Sequence, residues 1–239
     1  LKWLKSTGAD IAGSWVRRFG TSDQRIVKLQ QIEDAIRMEM LFCSPFAHPA
    51  VMMRTDLMRR LRYDIAWAKA EDYDLWERAI EAGCKMTNVP EVLLMYRVHA
   101  EQISSRTLQL QQQVEQGIRR RYWEFVFNSM ELNKNSLDET MKIFGTSLTG
   151  INMDAVDASF AALLRNTHGE SRNVILDHLT RLYFRVASDC PDIVSRWGKL
   201  NQEFGVGWGV ATKFKLWVFR VLRIRADGNL FKQIKQLYI

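Results

Sequence analysis

The spacing of apolar residues changes character near residue 105. Upstream, short runs alternate between two periods. "LKWLKSTG" (1–8) reads as the end of a helix stopped by Gly8, and "ADIAGSWV" (9–16) as a buried strand. "QRIVKLQQIEDAIRMEM" (24–40) has helical spacing, "HPAVMMR" (48–54) is a short apolar run beside Pro45 and Pro49, and "TDLMRRL" (55–61) resembles a capped helical turn. In "EDYDLWERAIEAG" (71–83), acidic residues fill the first turn, Leu75, Trp76, Ala79 and Ile80 share a face, and Gly83 marks the stop. "KMTNVPEVLLMYRV" (85–98) reads as two strand segments broken at Pro90. Alternation of this kind predicts an α/β fold.

Downstream the pattern is helical throughout. "LQLQQQVEQGIRRRYWEFVF" (108–127) sets Leu110, Val114, Ile118, Tyr122 and Phe125 on one stripe, and further helical stretches fall at 136–148, 153–166, 172–189 and 191–203. The expected organisation is an α/β part, 1–105, followed by an all-helical part, 106–239. No internal repeat is visible, and the only biased tract is the glutamine run at 111–113.

With 239 residues, 47% hydrophobic and 26% charged, the chain can bury a sizeable core. Cys43, Cys84 and Cys190 stand far apart in no metal-ligand spacing, which suits reduced thiols better than a disulfide framework. No run of eighteen apolar residues suggests a spanning helix.

The candidate chemistry lies in "AEDYDLW" (70–76), where Glu71, Asp72 and Asp74 open the helix. Read from the residues alone, a solvated helix start accounts for them, because the macrodipole favours acidic side chains there. "DYD" also matches DxD, yet a helix turns two side chains at that spacing about 200° apart, which argues against their sharing a metal. Asp74 is expected to be a solvated or capping residue. In "YRVH" (96–99), Arg97 and His99 share one face of a strand, and a cation beside an imidazole suits a site where phosphate charge develops.

The ordered set "HPAVMMR", "YD" (63–64), "AEDYDLWERAIEAG", "NVPEVLLMYRVH" (88–99) and "QIS" (102–104) resembles the second half of a family 2 glycosyltransferase of the GT-A fold. The resemblance covers about residues 1–105, with "LKWLKSTGADIAGSWV" similar to the segment after that family's donor-site DxD. It implies a partial GT-A (nucleotide-diphospho-sugar transferase) domain followed by helices. It also implies that Asp72 is the general base of an inverting transfer, with Glu71 orienting the acceptor or the loop. His48 would lie near the acceptor, Arg97 near the leaving diphosphate, and His99 on a divalent ion, Mg or Mn. The family's nucleotide-binding half has no counterpart here, and the chain starts at Leu1. The expectation is therefore an N-terminally truncated sequence that is inactive alone, with most of the metal site in the missing half. The implied partners are a nucleotide-sugar donor and a glycan or lipid-linked acceptor in surface-polysaccharide or glycolipid synthesis.

The C-terminal stretch "WGVATKFKLWVFRVLRIR" (208–225) carries the clearest charge bias. As a helix it sets Val210, Phe214, Trp217, Val218, Val221 and Ile224 on one broad face, with Lys213, Lys215, Arg220, Arg223 and Arg225 around it and Leu216 and Phe219 as interruptions. From Phe204 onward the sole acidic residue is Asp227. A terminal helix docked on a core and an interfacial helix on anionic lipid both fit this pattern. The second predicts a cytoplasmic protein peripheral to the inner face of the membrane. Nucleic acid is not expected, since the basic residues form no recognised binding motif. The alternative to an enzyme is a non-catalytic helical adaptor that binds an anionic membrane surface.

Overall fold

A computed structural model of the chain describes residues 1–20, 24–98, 105–130, 136–145, 147–205 and 210–224. The chain forms two compact units, Leu1–Ser129 with Gly169–Ser171, and Met130–His168 with Arg172–Ile239.

The first unit is mixed α/β. After α1 (Lys2–Thr7), Gly8 takes a left-handed φ of 66°, the conformation that ends helices and that glycine adopts without steric cost. The strand β1 (Ile11–Phe19) is central. It pairs in parallel with β4 (Met86–Arg97) on one edge. On the other it pairs antiparallel with β2 (Ile26–Val27) and β3 (Met52–Met53). Its first half is almost wholly buried, as expected of a strand covered on both faces. Met52, by contrast, is half exposed although its sequence suggests a core residue, because β3 is an edge of only two residues.

Pro90 does not break β4. Pairing with β1 runs from Ser14 opposite Val89 to Trp15 opposite Val92, so the proline and Glu91 are taken up in a register shift. A bulge is one of the few places where a ladder tolerates the missing N–H. The "QRIVKLQQIEDAIRMEM" stretch likewise divides. It gives β2, a connection, and α2 (Glu33–Glu39), whose Ala35 and Ile36 are fully buried.

Two helices frame the region of interest, α3 (Thr55–Leu61) and α4 (Glu71–Glu81). The long α5 (Ser105–Ser129) follows and belongs to the first unit. Its buried residues Ile118, Tyr122, Trp123 and Val126 repeat at helical spacing. Leu110 is half exposed, so the stripe seen in the sequence is covered only from its middle onward. The Tyr122 hydroxyl donates to the Arg37 carbonyl (3.0 Å), Trp123 Nε1 to the Leu41 carbonyl (2.7 Å) and Arg119 Nε to the Phe42 carbonyl (3.1 Å). These bonds reach carbonyls in the last turn of α2 and just after it, where backbone acceptors need partners beyond the helix. The change from strands to helices at 105 is thus not the edge of the first compact unit, which runs on to Ser129.

The second unit is helical: α6 (Leu137–Met141), α7 (Met153–Arg165), α8 (Gly169–Val186) from Arg172 onward, α9 (Ile193–Phe204) and α10 (Val210–Val221). Asn152 caps α7 by accepting from the amides of Asp154 and Ala155. Buried Phe160, Leu164, Ile175, Leu179, Tyr183 and Trp197 form its core. Arg196 joins Asp154, Asp157 and Asp192, and Tyr183 donates to Asp157 (2.8 Å).

Candidate functional site

The site assembles at the N-terminus of α4 and the segment 62–69 before it. That segment starts and ends on non-glycine residues in the left-handed region, Arg62 (φ 50°) and Lys69 (φ 87°). Such conformations cost of order 1–3 kcal/mol each and persist only where surrounding contacts impose them. The contacts are present. Arg78 donates to the Leu61 and Arg62 carbonyls at 2.5 and 2.8 Å, and the Arg121 guanidinium lies 4.7 Å from the centre of the Trp67 ring. Asp64 caps the short turn Ile65–Trp67 through the Ala66 amide, and Glu71 Oε2 accepts from the Lys69 amide at 2.8 Å.

The three acidic residues of the first turn have three different environments. Glu71 closes the loop. Asp74 is fully buried and bonds both Arg78 (2.7 Å) and Arg121 (2.6 Å). It is therefore neither solvated nor a cap: its position on the helix points it beneath α5. Asp72 is half-buried and forms no ion pair among the described residues. Burial pushes its carboxyl above the ordinary aspartate range, and Glu71 adds to this, while His48 and the amides of Tyr73 and of Asp72 itself pull the other way. The outcome is a carboxylate more basic than a solvated one, within electrostatic reach of an imidazole.

His48 sits in a short helical turn, His48–Ala50, with Pro49 inside it. Its Nε2 is 2.8 Å from the Tyr63 hydroxyl, and its ring packs edge-on against Tyr63 and Trp76, with centroids 5.9 and 6.3 Å away. Trp76 is fully buried, and its Nε1 has no partner among the described residues. Tyr63 has its hydroxyl pKa raised by burial and by the charges of Asp72 and Glu71, which places it on the same site. Beside these groups lies an open hollow of about 400 Å³ lined by Tyr63, Asp64, Ile65, Ala68, Lys69 and Glu71. Ile65 is 92% exposed at its rim.

Behind the site, Gly13 allows a close approach that no other residue permits. A Cβ there would fall 2.1 Å from Asn88 Oδ1 and 2.7 Å from the Phe46 ring. Asn88 donates to the Gln30 and Pro45 carbonyls (2.7 and 3.2 Å), and Phe46 packs on Trp76 with centroids 5.1 Å apart. A chain of contacts thus runs from β1 to the aromatic wall of the site.

Asp72, Glu71 and His48 are brought together. Arg97 is not part of this group: it is an exposed residue at the far end of β4, opposite Phe19, with no ion pair to these carboxylates among the described residues. His99 lies outside the described residues. Among those described, no three His, Cys, Asp or Glu side chains are grouped to hold a metal ion. Tyr63 and Trp76 complete the cluster. Sequence periodicity gives no signal for Tyr63, which lies in an irregular loop, and it assigns Trp76 to the apolar face of α4.

Part of the chain is similar to proteins named as glycosyltransferases. It is 30% identical to an uncharacterized glycosyltransferase of Haemophilus influenzae over 39% of this chain and 29% of that protein. It is 27% identical to the O-antigen biosynthesis glycosyltransferase WbnJ of Escherichia coli, over 41% of this chain and 39% of that protein. To the UDP-Gal:alpha-D-GlcNAc-diphosphoundecaprenol beta-1,3-galactosyltransferase of Escherichia coli the identity is 31%, over 43% of this chain and 38% of that protein. The chain spans less than two fifths of the length of each of these relatives. No family model matches the chain, and no solved structure matches it.

Proposed function

We propose that the chain carries the acceptor side of an inverting, nucleotide-sugar-dependent glycosyltransferase of the GT-A type, with Asp72 as the base. The single observation that carries this reading is the state of Asp72. It is the one carboxylate of its helical turn tied neither to an arginine nor to the loop backbone, and it is desolvated next to Glu71, which lines the open hollow. Partial similarity to named glycosyltransferases supports the same reading.

In the proposed reaction, Asp72 takes the proton of an acceptor hydroxyl. The freed oxygen pair attacks the anomeric carbon of the donor, and the bond from that carbon to the nucleoside diphosphate breaks, its electrons leaving with the diphosphate. Desolvation raises the basicity of Asp72 toward that of the acceptor oxygen whose proton it takes, which is how a carboxylate becomes an effective base. The His48–Tyr63 pair lies on the acceptor side, where its hydrogen-bonding groups hold a sugar hydroxyl in line. The acceptor in this reading is a glycan, free or lipid-linked, in surface-polysaccharide or glycolipid synthesis. Donor nucleotide, together with any Mg or Mn that accompanies it, is assigned chiefly to the length of the relatives that the chain does not span, with Arg97 and His99 as the contribution from this chain.

The test is transfer by the full-length protein from labelled nucleotide sugars to lipid-diphosphate-linked acceptors. Asp72→Asn should leave donor binding intact and lower turnover by about 10²–10⁴-fold, the scale of a lost general base. Wild-type turnover in that variant would remove the assignment.

A further inference from the structure

The helix α10 has two apolar faces. Leu216 is fully buried and Phe219 nearly so, its ring 5.0 Å from that of Phe184, while Ile224 turns back into the core just past the helix end. The residues that interrupt the basic face in the sequence are thus the ones that dock the helix. At about 100° per residue, Phe214, Trp217 and Val221 fall on the opposite side. They are exposed by 61%, 48% and 54%, and Leu222 beside them by 64%. Phe214 and Trp217 stack on each other in the open, with centroids 5.9 Å apart and planes at 25°.

The charged residues that α10 itself places beside this face are all basic. Lys213 and Arg220 lie along one flank and Lys215 along the other. Between Phe204 and Ala226 the sequence has no Asp or Glu. Exposed aromatics flanked by cations, with no anion between, complement a surface that is apolar below and negative above. A protein partner buried by the same residues would have to leave Lys213 and Arg220 unanswered or supply its own carboxylates. No helix among the described residues is long and apolar enough to cross a membrane, so the contact would lie in the plane of the interface.

We propose that the outward face of α10, Phe214–Trp217–Val221 with Lys213, Lys215 and Arg220 around it, is a docking surface for an anionic lipid bilayer. The aromatic pair enters the headgroup layer while the opposite face keeps α10 packed in its own unit. Binding therefore needs no unfolding of the helix from the protein.

The experiment is cosedimentation of the full chain with vesicles of phosphatidylcholine alone and of phosphatidylcholine mixed with phosphatidylglycerol. The wild type should bind the anionic vesicles and lose most of that binding at an ionic strength of about 0.5 M, where surface charges are screened beyond a few ångströms. Phe214→Ser with Trp217→Ser, both at exposed positions, should weaken binding at least tenfold with an unchanged circular dichroism melt. Lys213→Glu with Arg220→Glu should do the same through charge, by roughly fivefold for each cation removed. Four results would each overturn the proposal: no vesicle binding, equal binding to both lipids, binding retained in both double variants, or self-association of the wild type that the serine substitutions abolish. The last would mean that a second copy of the chain covers this face.

Discussion

Arg121 of α5 grips Glu77 of α4 with two hydrogen bonds, Nε to Oε1 at 2.7 Å and Nη2 to Oε2 at 2.5 Å. The same Nη2 reaches Asp74 at 2.6 Å, so one guanidinium serves two carboxylates that expose no surface. Burial still pushes Glu77 up to about 7, against the pull of Arg121.

Removing the cation should be costly, since Asp74 would keep only Arg78 and Glu77 would stay buried without the guanidinium that holds it. Arg121→Ala should lower unfolding free energy by about 3 kcal/mol, the lower end for breaking a buried pair because the guanidinium is itself a third exposed. Urea denaturation followed by tryptophan fluorescence measures it. A loss under about 1 kcal/mol would class the contact with ordinary surface pairs.

Asp72 makes an opposite prediction. Its folded-state pKa is raised above the unfolded value, so the folded chain holds that proton more tightly, and stability falls as pH rises from the ordinary aspartate range through the raised value. Asp72→Asn removes this penalty. The melting temperature of the variant should match wild type at low pH, where both side chains are neutral, and exceed it at neutral pH. By the same shift, in the proposed reaction the acid limb of turnover should lie above the pH expected of an ordinary aspartate. Scanning calorimetry across pH, and a pH–rate profile, check the two halves separately.

Tyr63→Phe deletes the hydroxyl bonded to His48 while keeping the ring that packs on it. One hydrogen bond of about 1 kcal/mol corresponds to roughly a fivefold effect. In the proposed reaction it should appear as a higher acceptor KM, with fold stability lowered by no more than about 1 kcal/mol. An unaltered KM would place the His48–Tyr63 pair outside the acceptor's reach.

Gly13→Ala tests the wall behind the site. Its methyl would displace the Asn88 side chain and press on Phe46, at a cost of about 1–3 kcal/mol as in other overpacked cores. Thermal denaturation reads the loss. Trp76, which leans on Phe46, should report the shift in its near-ultraviolet circular dichroism.

Elements with one dominant period were legible in the sequence. The α4 helix, the burial of β1 and the helical character beyond 105 follow from spacing and from Gly8 and Gly83. What spacing could not supply was partnership at a distance. Asp74 reads as a surface acid until Arg121, 47 residues later, is known to lie against it. Pro90 reads as a strand break because a bulge is a property of two strands together. In α10, two apolar faces compete for one hydrophobic pattern, and only packing decides that Leu216 and Phe219 go inward. The Asp72–His48 grouping was available through the resemblance, but Tyr63 joined it only through a loop whose path no periodicity describes.

The segment 62–69 carries the rim of the hollow, yet what holds it is underneath. Arg78 ties down its first carbonyls, Arg121 backs Trp67, and both arginines are bound to Asp74. Neither arginine lines the hollow. The buried charges therefore act as a foundation for a mouth they never touch, and a substitution in α5 can reshape what the protein accepts while leaving every residue at the opening unchanged. A search for altered substrate preference would do well to begin there, one layer below the chemistry.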